Sequence, residues 1–238
     1  KTDGIDVKHS SNSKIYQNNI TQTKDDGIDI DFVPNVEVYG NTVKRAGGDG
    51  IEITVANNAI VRGNKISDSG DDGIDVKDSN GILIKKNRIC TSGSDGIQVV
   101  DSEDAVIKKN RIRDTGENGI YVSNAQTATI SGNKIHDSGT HGIYVSGSNY
   151  ADLLNNVIWN SGANGIYVNP SDFVEIIGNK VFNSAIDGIG LRESKNATIA
   201  GNVVKDSGNE GIEIFIGDNA LIHHNTVVRS GTDGIDVK

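Results

Sequence analysis

An in-register Gly-Ile dipeptide recurs at Gly4, Gly27, Gly50, Gly73, Gly96, Gly119, Gly142, Gly165, Gly188, Gly211 and Gly234, and every gap is 23 residues. No insertion or deletion breaks this period, so each unit must adopt one conformation and stack on its neighbours. Asn follows each Gly by fourteen residues, from Asn18 through Asn110 and Asn133 to Asn225. An aliphatic residue lies three before each Asn and another two after it, as Ile107 and Ile112 flank Asn110. Within one unit, Ile120 and Val122 alternate with Tyr121 and Ser123, the period of a strand. A second short strand surrounds Ala128 and Ile130, and a third contains Ile135, with Asn, Ser and Gly marking tight bends between them.

Three short strands cannot form a self-sufficient sheet, but they form one rung of a coil whose neighbours stack about 4.8 Å above and below. The expected fold is all-β: a single-stranded parallel β-helix, right-handed, of about ten 23-residue rungs spanning residues 1–238 as one domain. Ten rungs at that spacing make a rod roughly 50 Å long. Inward Ile and Val columns build its core, and the Asn column forms an amide ladder between rungs. Those Asn residues are not glycosylation acceptors, since the residue two later is Ile or Val. Composition agrees: Leu occurs five times, whereas β-branched residues abound. The single cysteine, Cys90, excludes a disulfide framework. No apolar run reaches the roughly 18 residues of a membrane span. A net charge of −9 argues against nucleic acid as the main partner. Neither end carries a visible cap, so the expectation is a fragment of a longer solenoid or rods joined end to end.

The pattern Asp/Asn-Gly-Ile-x-Val, then small-x-aliphatic-x-x-Asn-x-Ile, resembles the right-handed parallel β-helix repeat of pectin-lyase-like proteins, and it covers the whole chain. That superfamily holds pectate lyases, alginate lyases and epimerases, phage tailspikes and non-catalytic surface proteins, so fold alone does not choose among them. The resemblance implies an extracellular or cell-surface chain that binds or processes an acidic polysaccharide. In catalytic form it would be a uronan lyase or C5-epimerase. The alternatives are a structural or adhesive solenoid that self-associates, and a tailspike-like segment. The epimerase motif Tyr-Gly-Phe-Asp-Pro-His is absent: His141-Gly-Ile-Tyr144 has a different order, and Asn164-Gly-Ile-Tyr167-Val-Asn-Pro170 lacks the acid and the His.

In so regular a chain, function must lie where rungs differ. The outward position after Gly-Ile reads Asp6, Asp29, Glu52, Asp75, Gln98, Tyr121, Tyr144, Tyr167, Gly190, Glu213, Asp236. Like charges about 5 Å apart repel by about 3 kcal/mol at an effective dielectric near 20. Asp29, Glu52 and Asp75 are therefore expected to hold Ca²⁺; in pectate lyases such a metal bridges the enzyme to the polymer. The alternative is a solvated acidic face, with Lys8 and Lys77 relieving its ends. The Asp before each Gly (Asp26, Asp49, Asp72, Asp95) is read as capping its bend. His141, alone of its type in that column, is paired with Tyr144 for proton transfer. Arg192, two rungs beyond Tyr144, is expected to neutralise a substrate carboxylate. Tyr121, Tyr167, Gln98 and Lys77 complete the expected substrate-binding set. Two further faces stand out: a basic patch that includes Lys85, Lys86, Arg88, Lys108, Lys109 and Arg111, and an apolar one of Leu154, Val157, Trp159, Ile177 and Phe182, expected to be a self-association or domain interface.

Overall fold

The computed structural model describes residues 2–238; Lys1, the first residue of the expected domain, lies outside them. The described residues form 31 short strands and no helix. They build three parallel sheets of 11, 10 and 10 strands, each joining every third strand of the chain. One rung runs Ile120–Ser123, Thr129–Ser131, Lys134–Ser138, then climbs to Ile143–Ser146. The register offset equals the sequence period: Ile120 pairs with Ile143, Ile130 with Leu153 and Ile135 with Ile158. The β-helix expected from the repeat is the fold observed.

Alternation decides which side chains enter. In Ile74–Lys77 the residues Ile74 and Val76 point inward and are fully buried. Stacked equivalents such as Ile51, Ile97 and Ile120 continue that column, and one apolar core fills the bore. Parallel strands buried on one face leave the other face free to carry columns of side chains about 4.8 Å apart.

Two devices set the corners. Asn110 donates its side-chain N–H to Ile84 O (3.0 Å) and to Asn133 Oδ1 (3.1 Å), and its backbone N–H goes to the same Asn133 oxygen (2.9 Å). This pattern repeats through the Asn column and satisfies a buried polar residue in every rung. At the opposite corner the glycine of Gly-Ile allows close approach. A Cβ on Gly73 would stand 2.4 Å from Ile89 Cγ2 and 2.5 Å from the Gly96 carbonyl oxygen. The first sheet can therefore meet the third only through glycine.

Candidate functional site

The eleven-stranded sheet carries the outward column read from the sequence. Tyr121, Tyr144 and Tyr167 are in register, with successive ring centroids 5.1 and 5.3 Å apart. All three are half-buried, and they present a continuous aromatic strip.

The acidic half of the column departs from expectation. It is not a solvated face: Asp29 is 0% exposed and Asp75 1%. Neighbouring columns cover them. Lys8 reaches Asp6 (3.5 Å), Asp29 (3.4 Å) and Asp31 (2.9 Å), and Lys77 pairs with Asp75. Gln98 donates to Asp72 Oδ2 (2.8 Å) and Asp75 Oδ1 (3.1 Å). Gln98 and Lys77, assigned to substrate from the sequence, thus have their polar groups engaged within the acidic column.

The aspartates before each Gly do more than cap a bend. Asp26 Oδ1 accepts the backbone N–H of Asp49 (2.8 Å), Asp49 that of Asp72 (2.7 Å), Asp72 that of Asp95 (2.7 Å), and Asp95 that of Asn118 (2.7 Å). The bond runs between rungs, not within the turn, and leaves the second carboxylate oxygen beside the outward column. The carboxylates that converge are Asp26 with Asp29 and Glu52, and Asp49 with Glu52 and Asp75, each set with one oxygen per residue within 4.8 Å. The trio Asp29, Glu52 and Asp75 does not converge as such, because Asp29 and Asp75 stand two rungs apart; Glu52 is shared by the two sets instead. Burial, reinforced by neighbouring carboxylates, pushes Asp49 up to about 8, Glu52 to about 7, Asp72 to about 7 and Asp95 to about 6.

Beyond the tyrosines the column is interrupted. Gly190 pairs with Tyr167 on one side and Glu213 on the other. Its missing side chain opens a cleft of about 500 Å³ lined by His141, Asn164, Tyr167, Asp187, Arg192 and Glu213, among others. A Cβ on Gly190 would lie 2.5 Å from Asn164 Nδ2, 3.3 Å from Asp187 Oδ2 and 3.4 Å from the Tyr167 ring, so these three groups floor the gap. Burial, with Glu210 and Glu213 adding to it, raises Asp187 to about 7.

His141 stacks on Tyr167 (4.9 Å, 19°) and tilts against Tyr144 (5.3 Å, 54°). Its Nδ1 accepts the backbone N–H of Asn164 (3.2 Å), which leaves the ring proton on Nε2. Burial lowers its pKa to about 4. Burial also raises the Tyr167 phenol, although Arg192 beside it pulls the other way. Arg192 lies over Phe215 (5.4 Å) at the cleft edge. The structure therefore brings together His141, Tyr144, Tyr167 and Arg192, and adds Gly190, Asp187 and Glu213, which the sequence reading did not select. The apolar residues Leu154, Val157, Trp159, Ile177 and Phe182 do point outward, but each is half-covered by its neighbours, and Trp159 stacks on Phe182 (5.9 Å).

Comparison with known proteins agrees with the architecture. The model of the family described as right handed beta helix region matches residues 3–151 and 95–238. No curated protein matches by sequence. Three solved structures are similar. The A-module of the Azotobacter vinelandii mannuronan C-5 epimerase AlgE6 shares 18% identity with a TM-score of 0.77, over 95% of this chain and 64% of that one. A double mutant of the periplasmic alginate epimerase AlgG shares 16% identity with a TM-score of 0.73, over 83% of this chain and 51% of that one. The catalytic unit of a GH87 α-1,3-glucanase from Streptomyces thermodiastaticus shares 18% identity with a TM-score of 0.69, over 88% and 46%. The chain thus spans about half to two-thirds of the length of these structures, and at such identity the likeness is one of fold.

Proposed function

The chain belongs to the right-handed β-helix family, and from that premise we propose that its eleven-stranded sheet binds an acidic polysaccharide and exchanges a proton on it at the Gly190 cleft. The observation that carries this reading is the interruption at Gly190, where a base, an acid, a cation and an aromatic strip meet. Sugar rings lie along Tyr121, Tyr144 and Tyr167, and Arg192 pairs with a uronate carboxylate, which makes the adjacent C5 hydrogen more acidic.

The roles differ from those the sequence suggested. A histidine with a pKa near 4 and its Nδ1 already bonded is a poor base, so His141 instead offers substrate a hydrogen bond from Nε2–H. Asp187, raised to about 7, is matched to accept the C5 proton at neutral pH. With the proton on Asp187, the carbanion has two fates. Expulsion of the glycosidic oxygen, protonated by the Tyr167 phenol, leaves a C4–C5 double bond and breaks the chain as a lyase does. Return of a proton from the Tyr167 phenol to the opposite face of C5 gives an epimer, and the phenolate and the protonated Asp187 then exchange their proton through solvent.

Calcium, if bound, belongs with the carboxylate sets that share Glu52, whose hard oxygens and crowded like charges suit it. There it would neutralise the acidic column against a polyanion. The structural likeness to a periplasmic alginate epimerase supports a chain working outside the cytoplasm.

The test is a panel of polymannuronate, polyguluronate and polygalacturonate. Unsaturated ends detected by absorbance mark a lyase, and a changed epimer ratio by NMR marks an epimerase. If no uronan is either bound or altered, the proposal fails. A second reading, binding without turnover, is favoured by the unvarying 23-residue rung, which raises no long loops beside the cleft. Saturable binding without product is its signature.

A further inference from the structure

We infer that the corner joining the two ten-stranded sheets is a second, non-catalytic surface that holds an anionic polysaccharide along the solenoid axis. This goes beyond the cleft, which lies on the eleven-stranded sheet.

Four exposed cations, Lys65, Arg88, Arg111 and Lys134, stand in consecutive register on the third sheet. Across a two-residue turn, Arg62, Lys85 and Lys108 stand in register on the second sheet. Lys86 and Lys109 occupy the turn between the columns. Of these nine cations only Arg62 makes an ion pair, with Glu37 (3.4 Å). In a chain with 32 acidic residues against 23 basic ones, so many neighbouring cations without acidic partners mark a surface shaped for an external anion. Elsewhere eight of the thirteen described cations make an ion pair, as Lys77 does with Asp75 and Arg229 with Asp206.

The turn adds an independent observation. Lys86 and Lys109 hold left-handed φ values of 56° and 57°, and the equivalent position in five other rungs is Gly40, Gly63, Gly132, Gly178 or Gly201. A lysine is tolerated there although glycine adopts that conformation more readily.

The surface is also concave. A groove of about 460 Å³ is lined by Arg88, Arg111, Arg113, Lys134, His136, Asp137 and Trp159; the ladder itself runs on from Lys134 to Val157, and the indole of Trp159 continues the neighbouring column of Arg113 and His136. Cations spaced about 4.8 Å apart by the parallel strands fit a polymer bearing one anionic group per sugar ring. The indole offers that polymer a stacking face. The strand-set spacing and the indole face together suit a sugar polymer, and a DNA duplex is the competing polyanion in the test.

Trp159 is the only tryptophan, so its emission reports on this groove directly. The full chain is titrated with polygalacturonate and with heparin, and with neutral dextran and a DNA duplex as controls. The expected result is a saturable change in Trp159 emission with the anionic polysaccharides alone. In Arg88→Ala/Arg111→Ala the affinity falls by about tenfold, and the slope of log K against log salt becomes shallower by about two. Arg192→Ala, at the cleft, leaves this titration unchanged, which separates failure here from failure of the cleft reading. No emission change with either polymer, equal affinity in the double variant, or tighter binding of the duplex would overturn the inference.

Discussion

His141 stacks on Tyr167 with ring centroids 4.9 Å apart and planes 19° from parallel, although the two residues occupy different columns in adjacent rungs. The contact buries the imidazole and disfavours its charged form. Its pKa falls to about 4, below the usual 6.5. A lowered basic group contributes stability above its unfolded pKa and loses it as pH falls through the folded value. The imidazole is therefore expected to stay neutral at pH 6, and its own contribution to stability to fade from about pH 6.5 towards 4. NMR titration of the ring nitrogens checks this; a midpoint near 6.5 would contradict it.

The buried acids act in the opposite sense. Asp49, Glu52, Asp72 and Asp95 have folded values of about 8, 7, 7 and 6. Raised carboxylates contribute stability that is complete below the unfolded pKa near 4 and is lost as pH rises through the folded values. Thermal unfolding without divalent cations should therefore shift to lower temperature between pH 5 and 8. Asp49→Asn should recover about 2 kcal/mol at pH 8, since Asn118 shows that an amide is accepted in this column: its Oδ1 takes the His141 backbone N–H at 3.2 Å. Calcium should stabilise more at pH 8 than at pH 5, because it competes with protons for the same oxygens. Equal Tm values across this range would count against the crowding.

Arg192 is assigned to the substrate carboxylate rather than to the fold, being exposed at the cleft edge. Arg192→Ala should cost about 2 kcal/mol of binding, with a change of less than about 0.5 kcal/mol in stability. Calorimetry with an oligouronate and denaturant unfolding measure the two separately.

The Asn ladder is a structural prediction. Asn110→Ala removes donors to Ile84 O and Asn133 Oδ1 and the acceptor for Asn87. It strands buried backbone groups and should cost about 3 kcal/mol. Unfolding by urea would reveal it, and a loss below about 1 kcal/mol would show that the ladder is dispensable.

The parts of this structure legible in the sequence are those that repeat. The period fixes the register, so the columns of Tyr121, Tyr144 and Tyr167, and of Asn110 and Asn133, stand where spacing alone puts them. Burial was less legible. Asp29 and Asp75 face outward, as alternation requires, yet are covered by side chains from adjacent columns, a lateral relation that a one-dimensional period does not reveal. Asp187 was hidden for the converse reason: it fills a position where nearly every rung has Asp or Asn, and only its neighbour distinguishes it. That neighbour, Gly190, carried the available signal, as the one residue without a side chain in the outward column. In a chain with 29 glycines it is easily taken for another turn residue.

Proton exchange at the Gly190 cleft is measured most directly by incubating polyuronates in D₂O and reading deuterium at C5 by NMR. With the native chain at least one uronan should gain deuterium at C5 or unsaturated ends, and that rate should fall by at least about 100-fold with Asp187→Asn, in line with removal of a general base. A native chain that neither exchanges C5 nor forms unsaturated ends in any uronan, or an Asp187→Asn variant that reacts as fast as the native chain, would contradict the account.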